Sequence, residues 1–475
     1  MPPKNQRPTD RAAIEVPSRG RHVNSGAGPA FQVLEIGHPR YVALVAADTA
    51  FWALVRKEKL ADALAGGRLL GRYRRQAVQF AAEMEALRFG TSPWTVYFNP
   101  TDRCNLNCTY CYLPASTRRH GQQMPRARML DALERLRRYF EAAPAQDGLP
   151  QVVFHGAEPL LNRKAVFEAI RTFSGVFRFG IQTNGTLLDE AAIRFLQEHA
   201  VSVGISLDAP VAAAADRTRR SWAGSGVYDR VVAAMKRLKD YPGWNVIATV
   251  TRHNIRYLPQ MVAFLHAHHV PAAMLNVVRC TTPSARALRP ADQEASACFL
   301  AALDRAYDLY AQTGRKLVIA NFANTLLAIL APTARQLMCD ISPCGAGRCF
   351  FAVTAGGDLF PCSEFIGLPT FRAGNIFEQG IDRILAGPVC RLVTGRRVED
   401  IEPCHRCAIR HFCGAPCPAE AYALRGSVAR VGGFCEFYEE QVRYAFRAIA
   451  DRKQDAFLWD GWDRNTVESF SFSAP

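Results

Sequence analysis

Three cysteines, Cys104, Cys108 and Cys111, stand at C-x3-C-x2-C spacing within FNPTDRCNLNCTYCYLP, just after the short apolar run Val96 to Phe98. On a loop leaving a strand, three thiolates can hold three irons of a [4Fe–4S] cube and leave the fourth open to a ligand that is not protein. The competing chemistry is a zinc loop. Zinc requires a fourth protein ligand close by, and His120 is the only candidate within reach.

Cysteines return late in the chain. Cys344-x4-Cys349 and Gly357-x4-Cys362 precede Cys404-x2-Cys407-x5-Cys413-x3-Cys417, and Cys435 closes the series. Paired zinc ribbons would satisfy C-x2-C-x5-C-x3-C alone. Eight such cysteines downstream of a three-cysteine loop favour iron–sulfur instead.

The chain has 475 residues, 49% of them apolar, enough to bury the cores of two to four domains. No apolar run reaches the roughly eighteen residues of a membrane span. The polar start, rich in Pro, Gly and Arg, lacks the apolar core of a signal peptide, and residues 1–30 read as disordered. A cytoplasmic location is expected, and there fifteen cysteines point to metal rather than disulfides. The formal charge of +15 falls to about +10 once eleven thiolates surround three cubes. A basic surface suits an acidic peptide or an acidic redox partner. The basic residues form no long run interleaved with aromatics, so nucleic acid is not indicated, and neither is a membrane.

Alternating elements must position the cysteine loop. Strands are expected at Thr95–Asn99, Gln151–His155, Phe177–Gln182, Val201–Leu207, Val246–Thr251 and Ala273–Val278. Helices between them are expected at Met129–Ala142, Arg163–Phe173, Glu190–His199, Tyr228–Asp240 and Leu258–His268. Such alternation implies parallel pairing through βαβ crossovers. The fold class is therefore α/β, a partial (β/α)6 barrel resembling a TIM barrel, whose chemistry collects at the C-terminal ends of the strands. Upstream, residues 31–46 read as two strands around a Gly37–His38–Pro39 turn. A helix capped by Asp48 is expected through Ala65, closed by Gly66–Gly67, and a second from Arg72 to Leu87. Residues 94–280 would be the barrel and 281–335 a helical bridge; 336–440 would form the cysteine-rich domain and 441–475 a helix and tail. Within the cysteine-rich domain, FFAVTAGGDLFP reads as a hairpin turning at Gly356–Gly357–Asp358. Cys280, Cys298, Cys339 and Cys390 are left over; such thiols are usually small buried hydrophobes, although Cys280, after the sixth strand, is placed to face the barrel mouth.

At successive strand ends stand His155-Gly156-Ala157-Glu158-Pro159, then Gln182-Thr183-Asn184-Gly185-Thr186, then Ser206-Leu207-Asp208 and Asp216-Arg217-Thr218-Arg219. With the cysteine loop, this series resembles the radical S-adenosylmethionine (SAM) enzymes. The resemblance implies that SAM chelates the open iron and is cleaved, after one-electron reduction, to methionine and a 5′-deoxyadenosyl radical. It implies a SAM site of Tyr110 against the adenine, the Gly156–Ala157–Glu158–Pro159 turn receiving the amino group, Ser206 and Asp208 near the ribose, and Asn184 and Arg219 beside them. Ala157 replaces the family's second glycine, and Ala215 stands where many relatives have a histidine. The later cysteines resemble a SPASM domain with two auxiliary clusters, three [4Fe–4S] clusters in all. By similarity to sulfatase maturases, Cys344, Cys349, Cys362 and Cys417 would ligate the first auxiliary cluster, and Cys404, Cys407, Cys413 and Cys435 the second. Residues 31–93 faintly resemble a leader-peptide recognition element; the alternative is an N-terminal extension packed on the barrel.

SPASM enzymes mostly modify ribosomally made peptides or proteins, with flavodoxin or ferredoxin as reductant. The resemblance therefore implies a peptide maturase forming Cys thioether crosslinks, related to that of quinohemoprotein amine dehydrogenase. Anaerobic sulfatase maturases, which oxidise Cys or Ser to formylglycine, are the alternative. They carry an aspartate base just after the third cysteine of the first auxiliary cluster, whereas Cys362 is followed by Ser363 and Glu364. Glu364 is the only carboxylate that the sequence sets beside those cysteines, and it joins Cys104, Cys108 and Cys111 as a candidate catalytic residue. An iron–sulfur electron-transfer protein is the reading from another class, and it leaves the missing fourth cysteine unexplained.

Overall fold

The computed structural model describes residues 21–23, 31–65, 67–143 and 148–462. Four strands, β1 (Arg21–Val23), β2 (Phe31–Leu34), β3 (Tyr41–Ala46) and β4 (Phe51–Arg56), form an antiparallel N-terminal sheet in sequential order. Of the tail expected to be disordered, residues 21–23 instead pair with β2; the other residues of 1–30 lie outside the described residues, as do 463–475 of the expected C-terminal tail. The helix expected from Asp48 is a second correction, because its first half is β4. Phe51, Trp52, Ala53, Leu54 and Val55 are all buried, and a run apolar on every side suits a strand covered on both faces. Trp52 shows the cover: its Nε1 donates to the Ile329 carbonyl at 2.8 Å and its ring meets Phe446 edge-on. Helix survives only at Leu60–Ala65, and Gly67 begins the next helix, Gly67–Phe89, instead of ending the first. The sheet docks on the C-terminal helix Cys435–Ala450, where Arg447 donates to the Ile36 carbonyl at 2.6 Å.

Six parallel strands follow, β5 (Thr95–Phe98), β6 (Gln151–Phe154), β7 (Arg178–Thr183), β8 (Ser202–Ser206), β9 (Trp244–Val250) and β10 (Ala272–Val277). They pair in sequence order, as a partial (β/α)6 barrel requires. Val96, Phe98, Val152, Phe154, Val203, Ile205, Val246 and Leu275 are buried, so apolar residues on these strands hold the sheet against its helices. The short β11 (Val318–Ile319) extends the β10 edge ahead of helix Ala320–Leu330.

At the opposite edge, the hairpin β12 (Phe350–Val353) and β13 (Asp358–Phe360) turns where expected, and β14 (Gly374–Asn375) pairs beyond it. Gly357 has φ +88°, and a Cβ there would lie 2.3 Å from the Phe377 ring, so only glycine fits. β12 runs parallel to β5 and joins the barrel sheet, making ten strands. The cysteine-rich part is thus hydrogen-bonded into the barrel, a union that hydrophobic patterning does not announce.

Candidate active site

The loop leaving β5 carries Cys104, Cys108 and Cys111, and it is stapled from several sides. Arg118, nearly inaccessible, donates through Nε to the Leu113 carbonyl, through Nη1 to the Leu106 carbonyl and through Nη2 to Asn107 Oδ1, each at 3.1 Å. Trp222 Nε1 donates to the Cys104 carbonyl at 2.8 Å. The amides of Asn107 and Thr109 donate to the carbonyls of Arg220 and Thr218, at 2.7 and 3.0 Å. The segment around Arg219 is therefore a latch along the cysteine loop, whatever its missing histidine implies. Burial, followed by the neighbouring Glu158 charge, pushes the Cys104 thiol up to about 12, and burial lifts Cys111 to about 11. Ligation would strip these protons. His120 is exposed at the end of helix Ala115–His120.

Beneath the loop, Glu158 is fully buried. Its carboxylate accepts from Thr183 Oγ1 at 2.8 Å, from the Leu160 amide at 3.1 Å and from the Asn184 amide at 2.8 Å. Burial raises its pKa, opposed by those hydrogen bonds and by Arg219. Gly156 has φ +96°, and a Cβ there would fall 2.2 Å from the Asn99 side chain; Ala157, by contrast, has no positive φ. Pro159 opens the short helical turn that follows. Asn184 donates to Asn105 Oδ1 at 2.8 Å and to Cys104 Sγ at 3.8 Å, and its own oxygen accepts from Thr186. Asn105 in turn donates to Thr186 Oγ1. Asn99, with no accessible surface, has neither side-chain polar atom hydrogen-bonded. An unpaired buried amide costs about 1–3 kcal/mol, so the spot fits a polar ligand such as SAM.

Tyr110, Asp208 and Arg219 form a buried set. Tyr110 Oη donates to Asp208 Oδ2 at 2.7 Å and accepts from Arg219 Nη1 at 2.6 Å. Asp208 Oδ1 accepts from the Thr249 amide at 2.9 Å. Ser206 ends β8 two residues before it. The structure thus gathers the cysteine loop, the Glu158 turn, Asn184 and the Tyr110 set at the C-terminal ends of β5 to β8.

A second group lies toward the cysteine-rich part. Glu364 feels burial first, which raises its pKa, then the opposing Arg279 and the reinforcing Glu420. Its charge also reaches Cys111, Tyr112 and Cys417, so it stands between the first cysteine triplet and the later cysteines. Glu364 is not the only carboxylate here, which corrects the expectation. Glu420 is fully buried; its amide donates to Cys417 Sγ at 3.5 Å, and its carboxylate accepts from the amides of Cys280 and Gly433 at 2.8 and 3.2 Å. Arg279 donates to Tyr438 Oη at 2.9 Å. Glu420 stands three residues after Cys417, a spacing that offered a signal; Arg279, Arg118 and Trp222 had none. Cys280 does not face the mouth: it has no accessible surface, and its thiol points to the Val278 carbonyl.

Cys404, Cys407, Cys413 and Cys435 line one cavity of about 680 Å³, which reaches Leu34 and Leu60 of the N-terminal part. Among the described residues, no three side chains converge on a site for a single metal ion. A cavity ringed by four thiols, two of them raised by burial to about 11 (Cys404) and about 12 (Cys435), fits a cube. No helix among the described residues is long and apolar enough to cross a membrane.

The family model described as the radical SAM superfamily matches residues 98–265, and SPASM, described as an iron–sulfur cluster-binding domain, matches residues 344–408. The chain is 40% identical over 421 residues to an uncharacterized protein of Archaeoglobus fulgidus, an alignment covering 88% of this chain and 94% of that one. It is 24% identical over 364 residues to the cysteine-type anaerobic sulfatase-maturating enzyme of Clostridium perfringens, covering 72% and 93% respectively. Streptococcus suis SuiB bound to precursor peptide SuiA shares the fold, with TM-score 0.57 and 13% identity over 83% of this chain and 98% of that one.

Proposed function

Since the chain belongs to the radical SAM superfamily and carries an iron–sulfur SPASM domain, we propose that it is a maturase joining a Cys sulfur of a ribosomally made peptide to a carbon of another residue. Bound SAM would supply the hydrogen-abstracting radical at the first cube, and an auxiliary cube would accept the electron released on thioether closure. Cys104, Cys108 and Cys111 hold the first cube in this reading. Glu158, Gly156, Ala157 and Pro159, with Asn184, Ser206, Asp208, Tyr110 and Arg219, surround SAM. Cys404, Cys407, Cys413 and Cys435 hold the second auxiliary cube, while Cys344, Cys362 and Cys417 hold the first with one more thiolate. A flavodoxin or ferredoxin in the cytoplasm delivers the electron for SAM cleavage, drawn to the basic surface.

One observation carries the reading: the half-buried Glu364 and Arg279 and the fully buried Glu420 lie within electrostatic reach of one another and of Cys417, and Glu364 also reaches Cys111. A peptide side chain seated there would face both cluster sites and be held in position, as a radical reaction needs. The precursor peptide held by SuiB supports a peptide substrate. Formylglycine formation is the second reading, favoured by likeness to the sulfatase-maturating enzyme and disfavoured by Ser363–Glu364 in place of aspartate.

The experiment is anaerobic reconstitution followed by turnover of Cys-containing peptides encoded beside the gene. About twelve irons, from three cubes, and SAM cleavage are expected. So is a product two hydrogens lighter that resists thiol alkylation yet keeps all its sulfur. Loss of sulfur with a hydrazine-reactive aldehyde selects formylglycine, and zinc in place of iron refutes the whole reading.

A further inference from the structure

We propose that Cys339, rather than Cys349, is the fourth thiolate of the first auxiliary cube, beside Cys344, Cys362 and Cys417. The assignment rests on the reading above that such a cube exists. Spacing alone cannot choose, because Cys339, Cys344 and Cys349 succeed one another at identical x4 intervals.

Backbone geometry does choose. The carbonyl of Met338 accepts from the Gly345 amide at 2.6 Å, next to Cys344. On its other side, Asp340 packs against Gly414, where an added Cβ would stand 2.7 Å from the Asp340 carbonyl carbon and oxygen. Gly414 opens the turn from Cys413 to Cys417. Cys339 therefore sits between the turn that carries Cys344 and the turn that carries Cys417.

Its loop is also held rigidly. Asn324, almost wholly buried, donates through Nδ2 to both Asp340 carboxylate oxygens, at 2.7 and 2.9 Å. Its Oδ1 accepts from the amides of Gln336 and Leu337, at 3.1 and 2.9 Å. Arg335 Nη1 donates to the Asp340 carbonyl at 3.2 Å. Hydrogen bonds of this kind orient a metal-binding residue.

The thiol itself opens on shared space. Cys339 is accessible to solvent, yet it lies within electrostatic reach of Cys344 and Cys417, and it is the leading charge felt by Cys362. The three thiols it would join as a ligand are thus the ones whose charge it shares. Cys349 is turned elsewhere. Its carbonyl accepts from the amides of Trp94 and Thr95, at 2.9 and 3.4 Å, which fixes it to the entry of β5. The charges reaching it are those of Arg348 and Cys344, with neither Cys362 nor Cys417 among them. Ligation by Cys339 forms one sulfur–iron bond and releases one proton, with no change of oxidation state.

The test uses the anaerobically reconstituted full chain. In the unmutated holoprotein, iodoacetamide and peptide mass mapping should find Cys339 protected until a chelator strips the iron, with Cys349 labelling to the same extent before and after. Cys339→Ala and Cys344→Ala should each lose about four irons and the same component of the Mössbauer spectrum, whereas Cys349→Ala keeps the full complement. Alkylation of Cys339 in the holoprotein overturns the assignment, as does iron loss confined to Cys349→Ala. Alkylation decides even where a variant fails to fold. If Cys344→Ala keeps all its iron, the auxiliary cube itself is absent and the premise fails, a result distinct from failure of Cys339 alone.

Discussion

Tyr110 and Asp208, 98 residues apart, are joined by a hydrogen bond of 2.7 Å that ties the cysteine loop to the end of β8. Arg219 donates to the same tyrosine hydroxyl, and Asp208 also accepts from the Thr249 amide of β9. The orientation of the Tyr110 ring is thereby imposed by the barrel. Tyr110→Phe leaves a buried carboxylate and a buried guanidinium each short of a partner, at a cost of about 1–3 kcal/mol. The variant should keep its iron but unfold at lower denaturant and bind SAM more weakly. Unchanged unfolding and unchanged SAM affinity together would show that the ring is held by other contacts.

Glu158→Gln tests the proposed SAM ammonium contact. A charge-assisted hydrogen bond is worth roughly 1.5–3 kcal/mol, so SAM affinity should fall at least tenfold with iron content intact. Glutamine retains one oxygen for the donors Thr183, Leu160 and Asn184, which limits collapse of the turn. An unchanged dissociation constant would reduce Glu158 to a structural turn residue.

Arg118 touches no expected ligand and still matters, because it alone ties the carbonyls of Leu106 and Leu113 to Asn107. Arg118→Leu should lose about four of twelve irons and SAM cleavage with them, while the auxiliary absorption persists. Full iron retention would mean that Trp222 and the 218–221 latch hold the loop unaided.

Glu364→Gln and Glu420→Gln separate the two maturase readings. A general base contributes 10²–10⁴-fold, so formylglycine formation through Glu364 predicts near-complete loss of turnover in Glu364→Gln. The thioether reading predicts that this variant keeps most 5′-deoxyadenosine production and still crosslinks peptide. Glu420→Gln should instead disturb the backbone at Cys280 and Gly433, which its carboxylate holds, and it should lower stability before it lowers turnover.

His155 gives a pH dependence. Burial depresses its pKa to about 4, from 6.5, so between those values the unfolded chain binds a proton that the folded chain does not. Stability is therefore lost as pH falls below about 6.5, by about 1 kcal/mol at pH 5.5. His155→Gln should remove that share of the acid sensitivity in anaerobic urea unfolding. An identical pH slope in variant and parent would show that His155 titrates normally.

The sequence by itself determined the chemistry of the first cysteine loop, the six parallel strands and the motifs at their ends. Each of these is local: cysteine spacing, apolar alternation and turn residues are set within a few positions of one another. Where local patterns were degenerate, the sequence misled. Phe51–Arg56 is apolar enough for helix or strand, and pairing with β3 together with the cover supplied by Ile329 and Phe446, nearly 300 and 400 residues away, made it β4. The identical x4 intervals among Cys339, Cys344 and Cys349 give no sign of which of these thiols lies toward Cys417, whereas the backbone contacts at Gly345, Gly414 and Trp94 set their places. Pairing of β12 with β5, the Arg118 staple and the meeting of Glu364 with Arg279 and Glu420 were likewise decided in three dimensions. Contacts between residues far apart in the chain leave no periodic trace in sequence, because the burial and charge that select them exist only once the chain has folded.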